Sequence, residues 1–535
     1  MATYQVSTAQ VNGRGPASDS YSTAQAQNIA TPYATLDKAL SVMVNGDNIV
    51  LNGQAISPQI YNATTVFAIT RGNSVISCVE PAGAILRANG AQARVANIAI
   101  PAAQQIVLQN LVFDAQNLST RCVDTGNNNS HIIYQDCTFK DGVTDLAKGN
   151  SDVAFYEYRN PILSGSPTTA GITHASMGNG GILHVDNVSG NLTMPANLGG
   201  AVYAQATTQN ATVRVKIGAL HQTNGATARA GLVTLVGIEH HEVLMMGKNG
   251  PEAILDGAAN AGPAAVNIRG NGSITQRGGQ IHDLNIANLC GVGGYDVLVG
   301  SDSSAGAGSD YTISQTVIKR CKSRGLASNP TRHGYIVGWQ NGSVIDEVEA
   351  TEAYINAIQK ECHGDLYIIE PTVNMGVNNG SAGGVYSKGN QNGSVVCLAK
   401  VLLTTGNLNR AFYSGYNDVS GTPDGGSKFI ANSVWSNDVV SKIAAVGTPG
   451  VPADTSTAKF VLNNYALAGV TGTPWTVGSS TSYADLASWS VGQELSATAD
   501  VPTKRTPAFH ASRFRASAVA KISEIDPCLA VAMGL

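Results

Sequence analysis

Charge is scarce in this chain: Asp, Glu, Lys and Arg make up 13% of its 535 residues, against roughly 25% in an ordinary soluble protein. Aromatic residues are also few, at 6%. Long amphipathic helices keep Lys and Glu on their wet side, so this shortage argues against a helical bundle. The formal net charge of -4 supplies no basic field to gather phosphates, and nucleic acid is not expected as a partner. No run of 18 apolar residues occurs, so no membrane insertion is expected. The opening MATYQVSTAQVNGRG lacks the basic and apolar stretches of a signal peptide. The eight cysteines, Cys78, Cys122, Cys137, Cys290, Cys321, Cys362, Cys397 and Cys528, include no CxxC pair. They are expected as buried free thiols, with no metal and no cofactor implied.

What the chain does have is glycine, 59 residues of it, with many Ala, Asn, Ser, Thr and Val. From Asp47 onward, short β-rich segments alternate with Asn-Gly, Gly-Gly and Gly-Asn breaks. Examples are Gln105 to Phe113, His131 to Phe139, Gln280 to Ala287, Ser343 to Val348, Asp365 to Glu370 and Lys459 to Asn463. In the second half their starts recur at roughly 22 to 33 residues, a period that suits coils of three short strands. Doubly wound α/β folds need crossover helices of ten or more residues, and almost no apolar helical period of that length is found between Asp310 and Asn463. The reading is an all-β, right-handed single-stranded parallel β-helix, with a sandwich or propeller as the alternatives.

Three regions follow. Residues 1–45 form an N-terminal cap, in which Leu36, Ala39, Leu40 and Met43 give helical spacing over Pro32 to Val44, ended by Asn45-Gly46. Such a helix would cover the apolar end of a coil stack. Residues 46–445 form the β-helix. Residues 446–535, with Pro/Gly-interrupted segments, Trp475 and Trp489, read as a C-terminal closure or oligomerisation segment. Cys137, Cys290, Cys321 and Cys362 each lie near a strand end before a turn, which suggests inward stacking at one corner.

The stretch GPASDSYSTAQAQNIATPYATLDKALSVMVNGDNIVLNG resembles the opening of the right-handed parallel β-helix, or pectate-lyase-like, superfamily, which contains pectate lyases, glycan depolymerases and phage tailspikes. The closing SEIDPCLAVAMGL is similar to a Ser-Pro-Cys/Ala-Ile-x-x-Gly ending of that group, with Asp526 in place of the serine and Leu529 in place of isoleucine. The calcium-holding aspartates of its lyases cannot be assigned here. The Gly-His-Gly series of its hydrolases survives only as Arg332-His333-Gly334 and His363-Gly364-Asp365. The resemblance implies a phage tailspike-like protein that binds surface polysaccharide, with cleavage as a glycoside hydrolase or polysaccharide lyase left open. A homotrimer is expected, on a virion or outside the cell. The alternatives are a noncatalytic decoration or fibre protein that contacts other virion proteins, and a bacterial polysaccharide lyase.

On a coil stack a polymer meets the outward residues of one sheet. In VIDEVEA, Glu347 and Glu349 share one strand parity, about 6.6 Å apart at Cα, a spacing that suits paired carboxylates on a glycosidic bond. A solvated acidic strand is the bland reading. Glu239 and His240, in the run Glu239-His240-His241-Glu242, could move a proton near neutral pH; a polar turn is the alternative. Arg332 and His333 could meet uronate or phosphate groups, or pair with Glu347 or Glu361. Tyr335, Trp339, Tyr367 and Tyr386 could stack sugar rings, which makes 330–420 the expected groove.

Overall fold

A computed structural model of the protein describes residues 1–300 apart from short stretches, the largest at 9–15, 53–57, 150–154, 258–263 and 271–278. Beyond 300 it describes residues 316–325 in full. The strands Ser314–Lys319 and Thr331–Val337 through Thr481–Tyr483 are described as backbone, with side chains from 326 on only at Ile345, Val348, Ile358, Leu366 and Ile368. The fold is an all-β, right-handed parallel β-solenoid with an N-terminal helix. It divides into two compact units, Met1–His240 and His241–Leu535.

In the first unit each coil from Asn48 to Met177 lays down three short strands that pair in parallel with their counterparts in the next coil, and the following two coils join the first two strands into one, Ile182–Met194 and Thr212–Asn224. Face I stacks Asn48–Leu51, Ser74–Cys78, Gln105–Gln109, His131–Gln135 and Phe155–Arg159, followed by the first part of Ile182–Met194. Face II stacks Gln59–Ala63, Ala84–Ala88, Leu111–Asp114, Thr138–Lys140 and Ile162–Gly165. Face III stacks Phe67–Ile69, Gln92–Ile98, Ser119–Thr125, Asp145–Gly149 and Ala170–Met177. Successive side chains on a strand point to opposite faces, so an in-register stack gathers inward residues into columns. Ile76, Leu108, Tyr134, Tyr158 and Val185 form one such column, all buried. Tyr134 stacks on Tyr158 with ring centroids 4.8 Å apart, and Phe113 stacks on Phe139 at 5.4 Å. Each such ring contact contributes about 0.5–1.5 kcal/mol beyond the area it buries.

The segments read from sequence as single strands are often two. Gln105–Gln109 and Leu111–Asp114 meet at Asn110, and His131–Gln135 is followed by a corner at Asp136. Asn110, Asp136, Asn160 and Asn187 all have positive φ, between 50° and 61°. Asn and Asp tolerate this left-handed conformation best among residues with a Cβ, so one residue turns the chain while the apolar alternation continues. Asn160 Nδ2 donates to Asp136 Oδ1 at 2.9 Å, and Asn187 Nδ2 donates to Asn160 Oδ1 at 3.1 Å. Asn160→Ala loses both bonds and the left-handed preference, and is expected to cost about 1–3 kcal/mol. Urea unfolding checks this: an unchanged midpoint would show that the ladder contributes nothing.

The cap helix spans Leu36–Val42, shorter than Pro32 to Val44. Tyr33 is drawn into strand-like pairing instead, donating to Gln5 O and accepting from Ser7 N. Thr35 is the N-cap and accepts from Lys38 N, while Asp19 accepts from the backbone of Ala34 and Thr35 and from the Thr35 hydroxyl. Leu36, Ala39 and Met43 are buried as their spacing implies. Among the described residues no helix is long and apolar enough to cross a membrane.

The second unit repeats the scheme. Its first face aligns Val243, Ile281, Ile318, Ile345 and Ile368 in one buried column. Parallel pairing continues through Lys459–Leu462, Tyr465–Val470 and Trp475–Val477, and a short antiparallel pairing with Thr481–Tyr483 follows. Residues 484–535, including Trp489, lie outside the described residues.

Cys78, Cys122, Cys137, Cys290 and Cys321 are buried free thiols; Cys362 and Cys528 fall outside the described residues, as does the side chain of Cys397. Cys137 and Cys321 each follow a positive-φ corner residue, Asp136 and Arg320. Cys290 instead closes the strand Asn285–Cys290, so the four expected at one corner do not share it. Burial pushes the Cys137, Cys290 and Cys321 thiols up to about 12, which leaves them without thiolate character.

Candidate functional site

The outward side of face I in the first unit carries a concentration of aromatic and ionisable groups. The strands His131–Gln135, Phe155–Arg159 and Ile182–Met194 run parallel with His131 level with Phe155, Glu157 level with His184, and Arg159 level with Asp186. These positions alternate with the buried Ile132, Tyr134, Tyr156, Tyr158, Leu183 and Val185, so the core side of each strand fixes what the outer side presents.

His131 lies flat on Phe155 with centroids 4.2 Å apart and an interplanar angle of 5°, and His184 meets the same ring edge-on at 5.1 Å. Glu157 pairs with Arg159 and lies 3.8 Å from His131 Nε2. Burial holds the His131 imidazole below its usual range, outweighing the opposing pull of Glu157. Asp186 is 3.5 Å from Lys216 Nζ. Glu157, Arg159, Asn160, His184, Asp186 and Arg214 are among the residues around an open groove of about 330 Å³. At the other end of the strands a cavity of about 440 Å³ is bordered by Asn73, Gln104, Asn129, Ser130, His131 and Phe155, among others. An apolar ring platform flanked by hydrogen-bonding and charged groups is suited to a ligand with apolar ring faces and a polar edge.

The residues singled out in the sequence are distributed differently. The strand expected over Ser343 to Val348 is Asn341–Asp346, and Glu349 begins a separate strand, Glu349–Lys360. Ile345 and Val348 are both buried although they are an odd number of residues apart, in keeping with the break between the two strands. Asn341–Asp346 and Glu349–Lys360 pair with different strands, so no single strand carries both Glu347 and Glu349 as the shared parity requires. Glu347 itself lies outside the described residues. Glu349 aligns with Lys322 and Thr372 on the second face of its unit.

Arg332, His333 and Tyr335 lie on Thr331–Val337 of the third face, where Tyr335 is level with the buried Val297 and Ile358. Tyr386 is also on the third face, level with Gln359. Tyr367 is on the first face, between the buried Leu366 and Ile368. Trp339 lies outside the described residues. The backbone thus spreads these positions over two faces, with Glu349 on the remaining one.

Glu239 is buried, and its Oε2 accepts from Asn210 N at 2.6 Å, holding a residue with φ of 67°. His240 is exposed, its Nε2 3.8 Å from Glu239 Oε1, too far for a hydrogen bond. Later in that run Glu242 meets His282 instead: His282 Nε2 is 2.8 Å from Glu242 Oε1, and Nδ1 is 2.7 Å from Asp283 Oδ2. Arg320 clamps Asp283 through two bonds of 2.7 and 2.8 Å and, with His282, holds its carboxyl down at about 2. Among the described residues no set of three or more His, Cys, Asp or Glu is placed to hold a metal ion.

No protein-family model matches the chain, and neither a curated protein nor a solved structure matches it. The right-handed parallel β-solenoid is consistent with the pectate-lyase-like superfamily.

Proposed function

We propose that this protein binds surface polysaccharide along the outward side of face I in its first unit. The observation that supports this most is the ring ladder His131, Phe155 and His184, bordered by Glu157, Arg159, Asp186 and Arg214 in an open groove. A sugar ring offers an apolar face to such a platform and hydroxyls to its edges. The biological setting we propose is tailspike-like: a homotrimer on a virion that engages a host glycan.

Phe155→Ala removes the ring without touching the buried column, and is expected to weaken retention of a bound glycan about tenfold, equivalent to about 1.4 kcal/mol. Titration of wild type and variant against a panel of capsular and lipopolysaccharide glycans measures it. Equal affinity in the two proteins would reject the ladder as the binding surface.

A noncatalytic virion component is the second reading. It is favoured by the pairing of Glu157 with Arg159 and of Asp186 with Lys216, since these carboxylates already have cationic partners. Release of reducing ends from a bound glycan separates the readings, and absorbance near 235 nm would mark elimination rather than hydrolysis. Binding without release favours the noncatalytic protein.

A further inference from the structure

We infer that the 440 Å³ cavity at the start of the face I strands is a subsite for an uncharged, hydroxyl-rich sugar unit; this rests on the polysaccharide reading and names the substrate class at one end of the same surface.

The cavity and the adjoining groove differ in kind. Among the described residues the cavity is lined by Asn73, Gln104, Gln105, Asn129, Ser130, His131 and Phe155, with Ala103 and Gly180, and by no carboxylate, lysine or arginine. The groove at the other end of the strands has two carboxylates and two arginines. A charged sugar placed among amides would lose hydration with no counterion to replace it, whereas a hydroxyl exchanges water for amide contacts at little loss.

Gln104 Oε1 is buried with no hydrogen-bond partner among the described residues, and His131 Nε2 lies 3.8 Å from Glu157 Oε2. Gln104 and His131 are both held in place. His131 N donates to Gln104 O at 2.9 Å, which ties the two backbones together. The His131 ring is fixed by its stack on Phe155. Gly72 packs so tightly against the Gln104 side chain that a methyl group there would overlap it. Burial holds the His131 imidazole below its usual range, and a neutral imidazole has one nitrogen to donate and one to accept. A hydroxyl both donates and accepts, so it suits this ring and the Gln104 amide whichever way the amide is turned. The volume lies within the roughly 300–1,000 Å³ range of small-molecule sites.

Saturation-transfer NMR on the full chain tests the assignment, with methyl glucoside and methyl N-acetylglucosaminide as uncharged probes and methyl glucuronide as the charged one. The uncharged probes are expected to bind wild type, and Gln104→Ala to weaken them about tenfold. Gln104→Asn keeps the amide but withdraws it by one methylene, and is expected to lose a similar factor. Binding of methyl glucuronide alone, or uncharged binding unchanged in both variants, would overturn the subsite while glycan retention through Phe155 still stood. Absence of any glycan or probe binding to wild type would remove the polysaccharide reading and this subsite with it.

Discussion

Replacing Asp296 with asparagine is expected to make the second unit progressively more stable than wild type as pH rises from about 4 to about 9. Asp296 is buried, and its Oδ1 has no partner among the described residues. Desolvation raises its carboxyl to about 8, against the weaker downward pull of hydrogen bonds from Ser323 and Asn288. An unfolded aspartate titrates near 3.9. Between those values the folded unit holds a proton that the unfolded chain releases, so stability falls as pH rises through the window and the full loss is reached above about 8. At about 1.4 kcal/mol per pKa unit the ceiling is on the order of 5 kcal/mol, and relaxation around a buried charge reduces what is measured. Asparagine keeps the shape and cannot ionise. Urea unfolding of both proteins at intervals across this range gives the difference, and a difference that stays flat with pH would mean that Asp296 ionises in contact with solvent.

The second large effect has the opposite sign and belongs to the first unit. His174 sits inside the coil stack on face III, with Tyr156 against it at 4.3 Å and Tyr158 Oη 3.2 Å from its Nε2. Burial lowers it to about 3 from an ordinary value near 6.5. Its unfolded form therefore binds a proton that the folded form refuses. The first unit loses stability as pH falls from about 6.5 toward 3, by as much as a few kcal/mol. His174→Gln keeps a hydrogen-bonding group near Tyr158 and removes the titration, so its stability is expected to fall less over that range than that of wild type. Parallel slopes for the two proteins would contradict a buried neutral imidazole. The level below leaves His174 no slack: Gly149 is its in-register neighbour, and a methyl group there would overlap the ring. Gly149→Ala is accordingly expected to cost about 1–3 kcal/mol through overpacking, read from the same unfolding curves.

These sites also show where sequence reading stops. The coil rhythm was legible because every coil must hide its own inward side chains, and short β-rich segments with glycine breaks record that locally. The cap helix was legible for the same reason, through Leu36, Ala39 and Met43. The corners were not: Asn110 and Asp136 interrupt no apolar run, and only their positive φ shows the chain turning. At Asp346 the opposite error arose, because alternation seemed to continue to Glu349 although the strand had ended.

The ring ladder escaped notice for a geometric reason. His131 and Phe155 are level on successive coils, His184 stands on the next coil two residues beyond Ile182, the level partner of Phe155, and the rings touch only because the coils stack. Local aromatic density points instead to 330–420, where tyrosines are frequent but their strands belong to different faces. The one signal that could have found the ladder was its recurrence at coil spacing, beginning from the His131 and Phe155 strand starts.

Hydroxyl-radical footprinting with and without a retained glycan tests the central claim most directly, because it reads all aromatic positions in one experiment. The account predicts that glycan protects His131, Phe155 and His184 from oxidation and leaves Tyr335, Tyr367 and Tyr386 unchanged. Protection of those three tyrosines with no change at Phe155 would contradict it.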